Sequence, residues 1–354
     1  MKRQIVCVVL GVLFVLLMSS VSFSADTIRL KWNSIFAATH YATPLAGQFC
    51  EDIKKRTNGR VEIALLPGAT LTPPNRVFDG VVQGISDIGL SNPGFTRGRF
   101  PVSEVITQPL GFPDAWVSSH VSQDLYAKFK MKEYDSVQVL FLFGSGPLTV
   151  QTVKKQVKTL EDVAGLKLRA IGPMADMAKL IGAVPQPLDP GDVYESLRRG
   201  VLDGTIFPLE ALKAWKIGEI LRYATSSWKV GAAAIMYVVM NKDKWNSLPA
   251  DIKKVFEETS AEYAEKFAVA FNKADIDGLE FLKSQGGTTI PLSDAESARW
   301  IKAVQPMLDT YRKDLISKGY TDKDVDSFIA FAKERIDYWR KISREKKIEI
   351  PYEQ

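Results

Sequence analysis

TLEDVAGLKLRAIGPMADMAKLIGAVPQPLDPGDVYESLRRGVLDG, from Thr159 to Gly204, is the stretch that decides the fold of this chain. Short apolar segments alternate in it with segments of helical spacing, including predicted helices over 173–181 and 191–199. Such alternation is typical of α/β folds. Arg169 ends the first of the predicted strands. A permanently charged, planar side chain held at that position can bind a carboxylate through two parallel hydrogen bonds.

The same stretch resembles the solute receptors of tripartite ATP-independent periplasmic (TRAP) transporters, the family of C4-dicarboxylate and sialic-acid receptors. That family carries T-x-E-D-x-x-G-x-K-x-R, then L-G-A-x-P, then E-x-Y-x-x-L-x-x-G-x-x-D-G. The positions of this chain that match the pattern are Thr159, Glu161, Asp162, Gly165, Lys167, Arg169, Gly182, Ala183, Pro185, Tyr194, Leu197, Gly200, Asp203 and Gly204. Looser similarity covers nearly the whole mature chain, including Met240–Glu258.

The resemblance implies a fold of the periplasmic binding protein type, with two α/β lobes joined by hinge strands and a long bracing helix. The length of the chain also predicts two lobes, because a mature chain of this size exceeds what one hydrophobic core usually supports. We expect a first lobe over 25–148 plus about 236–270, and a second over 149–235 plus about 271–320. Residues 321–354 are expected to form a C-terminal helical extension that packs on the lobes.

The N-terminus predicts export. Lys2 and Arg3 precede an apolar run over 5–18, and Ser22 and Ser24 supply the small residues of a cleavage site. The run is shorter than the about 20 residues of a membrane-spanning helix. We therefore interpret residues 1–24 as a signal peptide and expect a periplasmic protein; an uncleaved anchor is the alternative.

The composition argues against a nucleic-acid partner and against an internal disulfide. The chain has 46 Lys plus Arg against 41 Asp plus Glu, and both signs are interspersed, which is not the pattern of a nucleic-acid-binding protein. After removal of the leader Cys50 is the single cysteine, so no internal disulfide can form. We expect a monomer without a cofactor.

Enzymatic motifs are absent from the sequence. His40 and His120 are its two histidines and lack the spacing of a zinc site, and we expect no metal. No G-x-S-x-G, H-E-x-x-H or phosphate-binding glycine-rich motif occurs. A periplasmic enzyme acting on a carboxylic acid stays an alternative, because two acidic residues distant in sequence can meet in a fold.

The resemblance implies that Arg169 is the family's carboxylate clamp. From the residues alone, pairing of Arg169 with Asp203 or Glu195 is equally plausible. The implied function is that of an extracytoplasmic receptor, which closes on a small organic acid and delivers it to integral membrane subunits. A sensory role would require the same binding.

Departures from the family pattern favour a particular ligand. The family continues after the D-G pair with Q-E-N-P, whereas this chain reads TIFP over 205–208, so Phe207 replaces the usual asparagine. Receptors of the family often carry a second arginine about twenty residues before the clamp, whereas residues 141–151 of this chain contain none. We therefore favour a monocarboxylate with an apolar or aromatic body, stacked on Phe207 and Trp228. A C4-dicarboxylate or sugar acid is the alternative ligand, and a role in the lobe core is the alternative for both aromatic residues.

In the receptors that this chain resembles, two loops of the first lobe face the cleft, and these loops correspond to residues 35–41 and 91–95 here. His40, Asn92 and Phe95 are therefore candidate ligand contacts. A solvent-facing His40 and a purely turn-forming Asn92 are the alternatives.

Arg97 and Arg99 flank a glycine in a charged loop of the first lobe. We expect them on the solvated surface, with contact to the ligand as the alternative.

Three further expectations concern secondary structure. A strand over 137–143, a turn over 144–147 and a strand over 148–153 are predicted. Helical spacing over 249–285 indicates either one bracing helix or two consecutive helices. The stretch 294–346 predicts two amphipathic helices, separated at Lys318-Gly319.

Overall fold

The computed structural model describes residues 27–350 of the chain. The predicted signal peptide lies outside the described residues. Within 27–350 no helix combines the length and the apolar character that crossing a bilayer requires.

Eleven strands and twelve α-helices make up the described part of the chain. The strands are β1 (Ile28–Ser34), β2 (Val61–Leu66), β3 (Ile88–Ser91), β4 (Val137–Pro147), β5 (Thr149–Thr152), β6 (Lys167–Arg169), β7 (Val184–Gln186), β8 (Gly204–Phe207), β9 (Tyr223–Thr225), β10 (Ala233–Asn241) and β11 (Thr288–Ile290). The helices are α1 (Ala42–Arg56), α2 (Val77–Val82), α3 (Ala115–Phe129), α4 (Leu160–Val163), α5 (Pro173–Leu180), α6 (Pro190–Arg198), α7 (Ala211–Ala214), α8 (Lys242–Ser247), α9 (Ala250–Ser284), α10 (Asp294–Val304), α11 (Pro306–Ser317) and α12 (Asp322–Glu345).

The strands form two sheets, which define two lobes. The first-lobe sheet has the order β2-β1-β3-β10-β4, and the second-lobe sheet has the order β11-β9-β5-β8-β6-β7. In the first sheet β1 is parallel to β2 and β3, whereas β10 is antiparallel to both of its neighbours. In the second, β6 is parallel to β7 and β8, and β5 is antiparallel to β8 and β9.

The first-lobe sheet is buried on both faces, which explains the unbroken apolar run in β10. Ile235 and Tyr237 belong to the core on one face of the sheet, while Met236 and Val238 belong to the core on the other. Alternate residues of a strand point to opposite faces, so a strand covered on both sides must be apolar throughout.

The predicted turn over 144–147 is wrong, because β4 continues through it. Gly144 pairs with Ile235 and Pro147 pairs with Ala233 of β10. A Cβ on Gly144 would lie 2.2 Å from the Ser118 side-chain oxygen, so this glycine permits α3 to approach the sheet and does not form a turn. A single residue then separates β4 of the first lobe from β5 of the second.

A second crossing runs beside the first. The backbone N–H of Leu148, between β4 and β5, donates to the carbonyl oxygen of Ala232 at 2.9 Å. Ala232 immediately precedes β10, which carries the chain back to the first lobe. The two hinge segments are therefore hydrogen-bonded to each other.

The third connection is α9, one helix of 35 residues and not two. At about 1.5 Å per residue it extends about 50 Å. Its Phe267 and Phe271 pack in the first-lobe core. Its Gly278 lies against the second lobe, where an added Cβ would be 2.0 Å from the Leu209 carbonyl oxygen.

The C-terminal stretch forms three helices where two were predicted. The additional break comes at Pro306, the first residue of α11, because proline cannot continue the hydrogen bonds of a preceding helix. Met307 of α11 packs in a second-lobe core cluster, whereas Tyr311 and Leu315 pack in the first-lobe core. α12 lies on the first lobe, with Trp339 against α3. The residue numbers proposed for the lobe boundaries stay a prediction.

Candidate functional site

A cavity of about 770 Å³, including its open mouth, lies between the two lobes. Most of its lining is apolar, as in binding sites for small organic molecules. The first lobe and its side of the hinge contribute Ile35, Phe36, Asn92, Gly94, Phe95, Thr107, Ser145, Ala234 and Met236, and α9 contributes Phe271. The second lobe contributes Leu148, Arg169, Ile171, Pro173, Met174, Pro190, Ile206, Phe207, Pro208, Glu210 and Trp215.

Arg169 lies on the cavity wall at the end of β6, and it is 3% exposed. Its Nε donates to the Leu188 carbonyl oxygen at 3.0 Å. Its Nη2 is buried and has no hydrogen-bond partner. The guanidinium lies over the Phe207 ring, 4.2 Å from the ring centroid, so one face of the cation is covered and fixed.

The acidic partners considered for Arg169 are bonded elsewhere. The Asp203 carboxylate accepts from the Lys167 backbone N–H at 2.8 Å. Glu195 pairs with Arg198 on the surface of α6 at 2.8 Å. The interpretation of Arg169 as one half of either ion pair is therefore wrong.

Burial lowers the pKa of Arg169 to about 9, against an opposing influence from Asp189. The guanidinium is therefore still charged at neutral pH. A buried cation with an unused N–H donor is costly unless an anion approaches it. The arrangement is suited to binding a carboxylate.

Phe207 and Arg169 come together because their strands are neighbours. β6 pairs with β8 in parallel, with Arg169 opposite Thr205. The Phe207 carbonyl oxygen accepts from Thr149 Oγ1 and Gln151 Nε2, both at 3.1 Å. These bonds hold the end of β8 in place, so Phe207 lines the cavity beneath the guanidinium.

Asn92 and Phe95 line the cavity from the first lobe. Asn92 Oδ1 accepts from the Gly94 backbone N–H at 2.6 Å and caps the short 3₁₀ turn Pro93–Phe95. The turn-forming role is therefore present together with the position on the wall. Its Nδ2 has a weak contact, 4.0 Å from Met236 Sδ.

His40 and Trp228 are not among the described residues of the cavity wall. His40 is fully buried, so the alternative of a solvent-facing histidine is wrong, and the predicted contact with the ligand stays a prediction. It stacks between Phe36 and Tyr41, at centroid distances of 4.1 and 4.4 Å. Trp228 packs, partly buried, against the second-lobe core, which is the alternative that the sequence left open for it.

Arg97 and Arg99 form ion pairs outside the cavity. Arg97 of the first lobe pairs with Asp176 of α5 in the second lobe, across the cleft. Arg99 pairs with Asp79 at 2.5 Å, and its guanidinium lies 4.4 Å from the centroid of the Phe78 ring. Both are partly exposed, as expected for the surface.

Sequence reasoning missed Glu210, which lines the cavity and is 6% exposed. Its Oε2 is buried without a hydrogen-bond partner and lies 3.5 Å from His40 Nε2. One signal was available, because Glu210 is the single charged residue in the otherwise apolar segment 206–212. Across residues 27–350 no group of three or more potential metal ligands occurs.

The sequence model of the bacterial extracellular solute-binding proteins, family 7, matches residues 33–314, which is most of the chain. The chain belongs to this family. Membership confirms the predicted relationship to the TRAP solute receptors. The C4-dicarboxylate-binding periplasmic protein DctP of Rhodobacter capsulatus is 27% identical to this receptor over 321 residues, which are 87% of this chain and 94% of that protein.

Solved structures confirm the predicted two-lobed α/β fold of this family 7 receptor. A TRAP periplasmic solute-binding protein from Desulfovibrio salexigens has a TM-score of 0.78 and 30% identity, covering 88% of this chain and 97% of that chain. A TRAP periplasmic solute-binding protein from Bordetella bronchiseptica, with bound (R)- and (S)-mandelate, has a TM-score of 0.81 and 27% identity, covering 88% and 99%.

Proposed function

We propose that this receptor binds a small organic acid in the periplasm by closing its lobes on it. Arg169 holds the carboxylate, and the apolar walls enclose the body of the ligand. The observation that carries the proposal is the buried Arg169 guanidinium, charged and with Nη2 unpaired on the cavity wall. The relative from Bordetella bronchiseptica binds mandelate, an aromatic monocarboxylate.

A monocarboxylate fits the described cavity better than a dicarboxylate. Arg169 is the one cationic side chain among the described residues that line it. A second carboxylate would be buried without a compensating charge, which is unfavourable. The Phe207 ring beside the guanidinium favours an aromatic or apolar body. A C4-dicarboxylate or a sugar acid is the second candidate, supported by the name of the relative from Rhodobacter capsulatus.

Membership of the family supports a role in transport. We infer that residues 1–24 direct export and are then removed. The closed receptor delivers its ligand to integral membrane subunits of a TRAP transporter, which a transport assay in membranes with and without those subunits tests. Reversible capture is separated from catalysis by incubating the receptor with its ligand, followed by mass spectrometry, where unchanged ligand is expected.

Isothermal titration calorimetry of the mature chain with mandelate, phenylacetate and succinate tests the binding proposal. We expect Arg169→Gln to weaken binding of the preferred acid about 100-fold or more. The control is Arg199→Gln, an exposed arginine on the surface of the same lobe, with unchanged affinity. Equal affinity of Arg169→Gln and wild type, or equal binding of the neutral amides of these acids, would contradict the proposal.

A further inference from the structure

The cavity has a second charged residue, opposite in sign to Arg169. Glu210 is the one acidic side chain among the described lining residues. Its backbone N–H donates to Asp275 Oδ1 of α9 at 2.8 Å, which fixes its place where the second lobe meets the bracing helix. The backbone of Glu210 is therefore held in place, and the residue is part of the cavity wall.

Two donors lie beside Glu210, the His40 ring and the Tyr41 hydroxyl, but neither makes a well-formed hydrogen bond to Oε2. His40 Nδ1 accepts from the Ala42 backbone N–H at 3.1 Å, so the neutral ring carries its proton on Nε2. That nitrogen is 3.5 Å from Glu210 Oε2, beyond the usual length of a good hydrogen bond. Burial raises the pKa of Tyr41, and the charges of Glu210 and Asp275 and an interaction of the hydroxyl with the Glu210 carboxylate raise it further, so the phenol keeps its proton.

Buried carboxylates elsewhere in the chain are well bonded. Glu296 accepts from the Leu160 backbone N–H at 2.7 Å and pairs with Arg299 at 2.8 Å. Asp114 accepts from the Val117 backbone N–H at 2.7 Å. Glu210 differs from both, since Oε2 has no partner and the residue faces a cavity. A purely structural carboxylate would not leave this acceptor unused, because an unsatisfied buried charge destabilises the fold.

We propose that Glu210 accepts a hydrogen bond from the ligand itself, so that the ligand is an organic acid with a hydroxyl or amino donor away from its carboxylate. This inference rests on the proposed function, in which Arg169 holds the carboxylate. Arg169 then binds the acid group, and Glu210 discriminates among acids by the hydrogen-bond donor that they carry. An acid with a wholly apolar body leaves Glu210 Oε2 without a partner and binds more weakly.

Calorimetry with phenylacetate, its meta- and para-hydroxy derivatives and its meta- and para-aminomethyl derivatives tests this inference on the mature chain. We expect wild type to bind at least one derivative about 10- to 100-fold more tightly than phenylacetate. In Glu210→Leu that preference disappears. Glu210→Ala serves the same comparison if the leucine variant does not fold, as checked by circular dichroism.

Glu210→Gln distinguishes the two donors. The amide keeps an acceptor oxygen but loses the charge, so a preference for hydroxyl persists and a preference for ammonium falls. The matched control is Glu296→Gln, a buried carboxylate outside the cavity, which leaves every ligand ratio unchanged.

Two results would contradict the inference, and only the second would also contradict the proposed function. If wild type and Glu210→Leu show the same ratio of affinities while Arg169→Gln abolishes binding, Glu210 does not select the ligand and the proposed function stands. If wild type binds none of these acids, nor mandelate or succinate, both proposals fail together.

Discussion

Gly172 and Gly94 meet across the cleft with no side chain between them. A Cβ on Gly172 would lie 2.9 Å from the Gly94 carbonyl oxygen and 3.0 Å from its Cα. Gly94 belongs to the first-lobe turn after β3, and Gly172 to the second-lobe turn after β6. The two lobes therefore approach each other here through backbone atoms alone, which requires that Gly172 lack a side chain.

Gly172→Ala is expected to weaken ligand binding about tenfold, because the added methyl group disturbs the closed contact of the lobes by about 1–2 kcal/mol. The φ and ψ of Gly172 are also +53° and −137°, a conformation almost restricted to glycine, so alanine destabilises its turn by about 1–3 kcal/mol in either state. Calorimetry measures the affinity, and thermal denaturation measures the stability.

Gly165→Ala is the control for that prediction. Gly165 lies in the same lobe with a φ of +74°, but an added Cβ has no neighbour within 4 Å. We expect a similar loss of stability and an unchanged affinity. If both variants lose affinity equally, backbone strain and not lobe contact is responsible.

Arg169→Met is expected to stabilise the ligand-free receptor by about 1–2 kcal/mol while removing acid binding. The reason is that methionine removes a buried charge whose desolvation outweighs the favourable influence of Asp189. Denaturant unfolding without ligand measures the change. Arg198→Met, at an exposed site, should stay within about 0.5 kcal/mol of wild type. A clear loss of stability in Arg169→Met would show that the charge is well compensated.

Gly278→Ala is expected to destabilise the receptor by about 2 kcal/mol or more, although alanine favours helices by about 1 kcal/mol. The added Cβ would lie 2.0 Å from the Leu209 carbonyl oxygen and force α9 away from the second lobe. Gly47→Ala in α1 provides the contrast, because nothing lies within 4 Å of its Cβ position. That variant should be stabilised, and destabilisation of both would count against the packing argument.

Asp114 predicts a pH dependence of stability. Burial raises its pKa from 3.8 to about 6, although hydrogen bonds from Val117 and Trp116 oppose the shift. Between these values the unfolded chain has lost the proton and the folded chain keeps it. Unfolding then releases a proton, so stability falls as pH rises from about 4 to about 6, by about 2–3 kcal/mol.

Asp114→Asn should lack that part of the dependence, because asparagine still caps α3 but does not titrate. Urea unfolding of both proteins between pH 4 and pH 7, expressed as the difference in free energy of unfolding, is the measurement. A constant difference over this range would contradict the assignment.

Local patterns predicted most of the secondary structure and the place of Arg169. The end of β6 follows from a short apolar segment before a proline-initiated helix, and β10 follows from its apolar run. The resemblance to a family supplied the two-lobed arrangement, which no local pattern contains. Phe207 was singled out because it departs from the family's pattern; it lines the cavity and also belongs to a second-lobe core cluster, and its contact with the ligand stays a prediction.

The errors came from contacts between residues distant in sequence. Glycine at position 144 resembles a turn, but the approach of Ser118 is what requires it. The place of His40 at a helix start allowed a solvated position as the alternative to ligand contact, but four aromatic rings surround it, those of Phe36, Tyr41, Trp215 and Phe271. Glu210 became a candidate only when its missing hydrogen-bond partner was visible. Local spacing carries no information on such neighbours.

The hydrogen bond from Leu148 to Ala232 restricts how the cleft can open. Because the outgoing and returning chains are tied side by side at that point, neither can twist without the other. We therefore expect the lobes to open by a swing about the axis that these two paired segments define. Substitutions on the cavity wall of either lobe can then change which solute is bound without altering the hinge motion.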